Sequence, residues 1–285
     1  MNNSDSRLTF NVKRSQRILL LICISVLCLV VGAVFVAIVT GNNPTDARIR
    51  ITAVIQDIVI FMIPAVGTAV MVTRRPADLL CLERPSVALT IAGIVALICS
   101  IPAMNALIAW NESLPMPDAF RAAESQAGET IAMLMGHGSV SGLIAGLLIV
   151  GLLAPLCEEL YFRGCLQRIL ATSGFNVHAA VWISAIIFSA VHMQMAGFFP
   201  RLLLGAFFGY LVVWSGSVWT SVAAHAFNNI IAAISEWSMM RGTQTGIDHV
   251  GQDSTVMVAV SIVLIAVMIL AIYRMRINRT SCDGR

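Results

Sequence analysis

Charged residues are scarce in this chain: only 12% of its 285 residues are Asp, Glu, Lys or Arg, and lysine occurs once, as Lys13. Soluble domains typically carry about 25% charged residues. Hydrophobic residues make up 58% of the chain, and its mean hydropathy is +0.85. This composition excludes an ordinary soluble domain and predicts an all-α fold, a polytopic membrane helical bundle. We predict no nucleic-acid partner for it.

Cysteine gives little further guidance. The seven cysteines are scattered and lie mostly in apolar runs, so they do not form the pattern of a disulfide framework. Cys157 and Cys165 flank a pair of carboxylates, which raises the question of a metal site. We interpret both as small buried hydrophobic residues.

Eight apolar stretches are long enough, or nearly long enough, to cross a bilayer. They cover residues 18–40, 51–73, 87–110, 139–161, 178–199, 202–215, 218–238 and 255–273. The first follows basic residues as a signal peptide does, but it is too long for one, and we interpret it as a retained span. The connection over residues 111–138 could be a cap or an amphipathic surface segment, but we interpret it as a solvated outer loop.

The distribution of basic residues predicts the orientation of the bundle. With eight spans, only five of the 18 basic residues fall on the side opposite the termini, namely Arg48, Arg50, Arg121, Arg201 and Arg241. Positive residues accumulate on the cytoplasmic side of membrane proteins. We therefore predict a multi-pass protein of the cell membrane with both termini in the cytoplasm.

Residues 154–168 concentrate the unusual polar groups of the chain. They include the adjacent Glu158 and Glu159, and a charged carboxylate inside a bilayer costs about 2.5 to 3.5 kcal/mol on insertion scales. On a helix, Glu159 and Arg163 lie four residues apart and can pair, whereas Glu158 points about 100° away. Pro155 is expected to loosen the helix just before them.

Two later spans contribute further polar residues. His192 interrupts the fifth span, and His225 and Asn229 lie four residues apart on one face of the seventh. Together with the carboxylates they offer a general base, histidines and an amide donor, which are the groups that hydrolysis needs. Glu158 can meet His192 only if the fifth helix begins well outside the bilayer or if Pro155 lets the fourth helix sit deeper. A helical extension through about Leu170 would reconcile their positions.

Taken in order along the chain, these motifs resemble those of the CPBP intramembrane protease family. That family contains the type II CAAX prenyl endopeptidases and bacterial proteins linked to bacteriocin self-immunity. The three motifs are Glu158-Glu159-x-x-x-Arg163, Phe188-x-x-x-His192 and His225-x-x-x-Asn229. The resemblance implies an intramembrane endopeptidase that acts in the lipid bilayer on a membrane-associated peptide or protein substrate.

The resemblance also implies a role for each residue that would touch the substrate or the water. Glu158 would be the base that activates water, and His192 would help to hold that water. His225 and Asn229 would stabilise the oxyanion that forms when the water attacks the peptide carbonyl.

Glu159 and Arg163 are implied as structural partners of this catalytic site. The resemblance favours a glutamate mechanism without a cofactor. Zinc is the alternative, and its ligands would then be Glu158, His192 and His225.

Two other functions are compatible with the same residues. A non-catalytic membrane scaffold or immunity protein would keep the motifs for their structural value. A proton-coupled transporter would use the intramembrane carboxylates and histidines as a proton relay. The chain lacks the internal repeats that are common in transporters, which makes that alternative weaker.

The chain is divided by this interpretation into three segments. Residues 1–138 hold transmembrane helices one to three and the outer loop. Residues 139–240 form the CPBP-like catalytic core with helices four to seven. Residues 241–285 hold the last transmembrane helix and a cytoplasmic tail. The sequence gives no indication of an oligomeric state.

Overall fold

The computed structural model describes residues 12–41, 44–243, 247–251 and 254–276. Within these ranges it contains ten helices and no β-strand, so the predicted all-α bundle is confirmed. The helices are α1 (Arg14–Thr40), α2 (Asp46–Val72), α3 (Pro76–Leu79), α4 (Val87–Glu112), α5 (Asp118–Leu134), α6 (Val140–Thr172), α7 (Val177–Ala190), α8 (Phe198–Ser215), α9 (Val218–Met240) and α10 (Thr255–Arg274).

Each of the eight predicted apolar stretches forms a helix. Six of them, α1, α2, α4, α6, α8 and α10, are long and apolar enough to cross a membrane. Helix α7 is apolar but has only 14 residues, and α9 has 23 residues but carries the polar side chains of the third motif. The multi-pass bundle is therefore confirmed, whereas a count of eight crossings stays a prediction.

Helix α6 is the central helix of the bundle. With one exception, every residue from 157 to 170 is buried. Two π-helical segments, Ile149–Leu153 and Leu160–Leu166, lie on either side of Pro155 and the two carboxylates. Proline cannot donate to the helical hydrogen-bond ladder, and a widened turn accommodates the missing bond. The predicted extension of the fourth apolar stretch is confirmed, since α6 ends at Thr172.

The prediction of a solvated loop over residues 111–138 is wrong, because α5 occupies most of it. Leu134, at the end of α5, is buried in the same cluster as Ala233 of α9. Arg50 of α2 donates from Nε to the carbonyl of Leu134 at 3.0 Å. The charged residues of the segment conceal an apolar stripe at helical spacing, formed by Phe120, Ala123, Ala127 and Ile131.

The fifth apolar stretch also ends earlier than predicted. Helix α7 ends at Ala190 and a turn over residues 191–197 follows, so His192 lies past the end of the helix and not deep within a span. Asn111, at the end of α4, holds this turn. Its Nδ2 donates to the carbonyl of Met195 at 2.9 Å, and its Oδ1 accepts from an amide of α8 at 3.1 Å. The turn thus finds hydrogen-bond partners outside α7. Within it Met193 has a φ of 55°, a left-handed conformation in which a right-handed helix does not continue.

Both ends of the described chain lie at one end of the bundle, which we call the terminal end. It is formed by the first residues of α1, α4, α7 and α9 and the last residues of α2, α6, α8 and α10. The hydroxyl of Ser173 donates to the carbonyl of Arg14 at 3.0 Å. The hydroxyl of Ser217 donates to the carbonyl of Glu83 at 2.5 Å. These contacts join the α6–α7 connection to the start of α1, and the α8–α9 connection to the α3–α4 connection.

The opposite end, which we call the distal end, holds α5, the turn over residues 191–197 and the connection between α9 and α10. Trp237 donates from Nε1 to the carbonyl of Ser139 at 3.0 Å. Asn105 donates from Nδ2 to the carbonyl of Ile247 at 2.8 Å. The distal end is therefore assembled from segments that are distant in the sequence.

The cytoplasmic position of the terminal end stays a prediction. Three of the basic residues on which it rests, Arg7, Arg279 and Arg285, lie outside the described residues.

Candidate active site

A cavity of about 490 Å³ lies between α4, α6, α8 and α9, beneath α5 and the turn over residues 191–197. Four of the six predicted site residues line it. They are Glu158, His192, His225 and Asn229. The other two, Glu159 and Arg163, are fully buried behind its wall. The structure therefore brings the six residues together but divides them between a lining layer and a supporting layer.

Both carboxylate oxygens of Glu159 are engaged. Oε1 accepts from Nη1 of Arg163 at 2.6 Å and lies 2.8 Å from Nδ1 of His225. Oε2 accepts from the hydroxyl of Ser221. The predicted pair of Glu159 and Arg163 is thus confirmed as a contact. A carboxylate with three donors and no exposed surface is fixed in position.

Arg163 fits between aromatic rings from three helices. Its guanidinium carbon lies 4.4 Å from the ring centre of Phe188, 5.6 Å from that of Phe208 and 5.9 Å from that of Phe162. Its Nη2 donates to the carbonyl of Gly205 in α8 at 2.9 Å. Cation–π contacts are strongest when both groups are desolvated. The side chain therefore joins α6 to α7 and α8.

His225 connects the supporting layer to the cavity. Its Nδ1 faces the carboxylate of Glu159, which accepts only, so Nδ1 carries a proton. Its Nε2 lies 3.7 Å from Oε2 of Glu158. The imidazole stacks on the ring of Phe208, with centres 4.8 Å apart and planes at 21°. Glu159 therefore fixes both the orientation of this ring and the nitrogen that it presents to Glu158.

His192 is oriented by the end of α7. Its Nδ1 lies 2.8 Å from the carbonyl oxygen of Phe188, and its ring meets the ring of Phe188 edge to face with centres 5.1 Å apart. A carbonyl oxygen accepts only, so Nδ1 carries the proton and the neutral imidazole keeps Nε2 as an acceptor. This explains the pairing of Phe188 and His192 in the second motif, because Phe188 supplies both the hydrogen bond and the ring contact that orient His192.

Asn229 is held by the π-helical part of α6. Its Nδ2 donates to the carbonyl of Val150 at 3.1 Å. Val150 lies within Ile149–Leu153, where the widened turn alters the usual carbonyl partners. The amide group has two hydrogens, so one remains for another acceptor. Asn229 is therefore a positioned donor on the wall of the cavity.

Sequence reasoning missed several residues that support the site. Ser221 lies four residues before His225 on α9, and this helical spacing was the signal that could have identified it. Glu124 of α5 accepts from the backbone amide of Ala196 at 2.9 Å and lines the cavity, as does Arg201 of α8. No sequence spacing relates Glu124 to Ala196, since they meet only through the tertiary fold.

The predicted zinc set does not fit a metal ion in this arrangement. Among the residues that the structure describes, no three His, Cys, Asp or Glu side chains are grouped so that they could hold a metal ion. We therefore derive no step through a metal.

Arg163→Met should destabilise the fold, because it leaves the Glu159 carboxylate buried without its cationic partner. Breaking a buried ion pair costs about 3 to 5 kcal/mol. We expect a clear drop in the midpoint of thermal unfolding in detergent. The matched control is Arg75→Met, since Arg75 forms an exposed pair with Asp78 at 3.8 Å. An exposed pair of this kind contributes at most about 1 kcal/mol to the free energy of unfolding. An Arg163 variant as stable as wild type would contradict the structural role.

Comparison with protein families agrees with the three motifs. Residues 140–231 match the family model described as Type II CAAX prenyl endopeptidase Rce1-like. The match runs from the first residue of α6 into α9 and contains all six predicted site residues, and it confirms the family resemblance. Searches of curated proteins and of solved structures returned no match. The chain is therefore a multi-pass helical membrane protein whose residues 140–231 are similar to the type II CAAX prenyl endopeptidase Rce1-like family.

Proposed function

We propose that the protein is an intramembrane endopeptidase in which Glu158 activates water to hydrolyse a peptide bond of a membrane-associated substrate. One observation carries this proposal. Glu158, His192, His225 and Asn229 come from three separate parts of the chain and line one cavity within an apolar bundle. The Rce1-like family match supports a protease of this general kind.

Glu158 is the better base of the two adjacent carboxylates. Glu159 has both oxygens occupied by Arg163, His225 and Ser221. Glu158 faces the cavity, where a water molecule has room to bind. A general base must lie within hydrogen-bond reach of the proton that it removes.

His192 orients the water. Because its Nδ1 proton is bound by the carbonyl of Phe188, its Nε2 accepts one hydrogen of the water while Glu158 accepts the other. The oxygen lone pair is then directed at the carbonyl carbon of the substrate. Water held by two acceptors needs little reorganisation before it attacks.

Asn229 and His225 stabilise the oxyanion. Asn229 has one amide hydrogen left after its bond to Val150. His225 donates to the oxyanion from Nε2 only when its ring is doubly protonated, since the Nδ1 proton is already donated to Glu159. The carboxylates on either side, Glu159 and Glu158, stabilise that positive charge.

The remaining proton transfer completes the hydrolysis. The tetrahedral carbon expels the amine of the peptide bond, and Glu158 returns to that nitrogen the proton it took from water. The products are a carboxyl group and an amine, and Glu158 is again a carboxylate. No cofactor is needed for the balance of atoms and protons.

Glu158→Gln keeps the size of the side chain and removes the base. General-base catalysis contributes about 10² to 10⁴ in rate, so we expect the rate of cleavage to fall by at least the lower of these factors. Suitable substrates can be obtained by trapping on a Glu158→Ala variant in native membranes. The control is Glu129→Gln, an exposed carboxylate of α5 that does not line the cavity. Equal cleavage by wild type and Glu158→Gln would refute the mechanism.

No cleavage by wild type would favour a scaffold, and solute uptake into proteoliposomes would favour a transporter.

Asn229→Ala should reduce kcat by about 10² to 10³ if the amide is an oxyanion donor. Asn228→Ala is the matched control, because Asn228 is adjacent, lines the same cavity and directs its Nδ2 at Oδ1 of Asn229 at 3.4 Å. We expect a much smaller loss for the control. Similar losses in both variants would mean that Asn229 only packs.

Metal analysis of active protein tests the glutamate mechanism separately. We expect activity to persist after chelation and dialysis. Stoichiometric zinc that is lost together with activity, and restores it when added back, would overturn the metal-free mechanism. Glu158, His192 and His225 would then be the ligands.

A further inference from the structure

We infer that the catalytic cavity is reached from the non-cytoplasmic face of the membrane, so that the substrate is a polypeptide that presents its scissile bond at that face. The statement about the substrate rests on the proposed function. The position of the cavity opening and the orientation of the bundle do not depend on it. It follows from where the cavity opens, what closes its inner end and how charge is distributed over the bundle.

The rim of the cavity belongs to the distal end. Glu112 is the last residue of α4, and Glu124 lies on α5. Both line the cavity together with Ala196 of the turn over residues 191–197. Glu112 is exposed. The hydrogen bond from the Ala196 amide to Glu124, at 2.9 Å, joins α5 to the turn beside the opening. A peptide that enters there passes polar groups before it meets the catalytic residues.

The inner end of the cavity is closed by packed side chains. Glu159, Phe162, Arg163 and Ser221 each have 0% exposure. Arg163 is directed from this layer at Gly205 of α8, where a Cβ atom would lie only 3.3 Å from Nη2. Interiors packed to this extent have no room for a polypeptide. The same layer that fixes His225 therefore separates the cavity from the terminal end.

Basic residues distinguish the two ends of the bundle. Two arginines counted on the cytoplasmic side in the sequence, Arg163 and Arg168, are buried in the fold and do not belong to a loop. Without them, the described part of the terminal end still carries Lys13, Arg14, Arg17, Arg74, Arg75, Arg84, Arg274 and Arg276. The distal end carries Arg48, Arg50, Arg121, Arg201 and Arg241.

The acidic residues have the opposite distribution. The described distal end carries Asp46, Glu112, Asp118, Glu124, Glu129 and Glu236, whereas the terminal end carries Asp78 and Glu83. Acidic residues contribute little to orientation, so the lysine and arginine count decides it. That count directs the terminal end to the cytoplasm and the distal opening of the cavity to the other face.

This orientation restricts the substrate class. A prenylated C-terminus held on the cytoplasmic leaflet would meet the closed side of the bundle and would not reach Glu158. A translocated chain, or the outer end of a transmembrane segment, would meet the open side. The substrate is therefore expected among exported or membrane-inserted polypeptides.

Labelling of introduced cysteines tests the orientation in the full-length protein. Ala196→Cys probes the cavity and Glu112→Cys its rim, while Arg74→Cys probes the terminal end. Intact cells are treated with a membrane-impermeant maleimide of high mass, and the mass shift of each variant is compared with that of wild type. We expect an added shift for Ala196→Cys and Glu112→Cys in intact cells. Arg74→Cys should gain one only after permeabilisation. The reverse pattern would overturn the inference.

Cleavage in sealed vesicles separates this inference from the proposed function. The probe is a mixture of water-soluble fluorogenic peptides added outside the vesicles. Right-side-out vesicles should cleave it without detergent, and inside-out vesicles only after detergent is added. Cleavage by inside-out vesicles alone would overturn the orientation and leave the protease intact. Absence of cleavage even in detergent would count against the protease, and the labelling pattern would then decide the orientation by itself.

Discussion

The buried pair of Glu159 and Arg163 is the interaction on which the site depends. Both side chains have 0% exposure, and the pair lies 2.6 Å apart in a bundle whose exterior is apolar. Two charges taken out of water are tolerated only when further hydrogen bonds satisfy them. Ser221 and His225 of α9 supply those bonds to the carboxylate, and Gly205 of α8 supplies one to the guanidinium. Satisfying this one pair therefore fixes the relative positions of three helices and the ring of His225.

Adjacent residues on α6 acquire different chemistry because a helix turns by about 100° per residue. Glu159 points into the packed layer and is saturated with donors, whereas Glu158 points into the cavity. The π-helical segments on both sides shift the phase of the helix at this position. One of them also brings the carbonyl of Val150 to Asn229. A fully paired carboxylate and one that faces a cavity can thus follow each other directly in the sequence.

The sequence alone was sufficient for features that depend on local spacing. The spacing of four residues predicted the Glu159–Arg163 contact, and the apolar stretches predicted the helices. Apart from the meeting of the three motifs, which the family resemblance implied, features that depend on contacts between distant segments were not predictable. The charged residues of α5 resemble a loop until its apolar stripe is seen against the bundle, and the turn after α7 is held by Asn111, which belongs to another helix. The sequence does place Ser221 on the same helix face as His225. That position does not identify its hydrogen-bond partner, because a serine on a transmembrane helix often bonds its own backbone.

The packed layer behind the catalytic residues also determines the shape of the site. Hydrolysis within a membrane needs water and a polar path for the peptide, yet an opening through the whole bundle would breach the bilayer. A cavity open at one end meets both conditions, provided that its other end is sealed. In this protein the seal consists of the same buried ion pair and aromatic rings that orient His225. Any change that loosens the pair would therefore disturb the orientation of His225 and the seal together, since both rest on the same contacts.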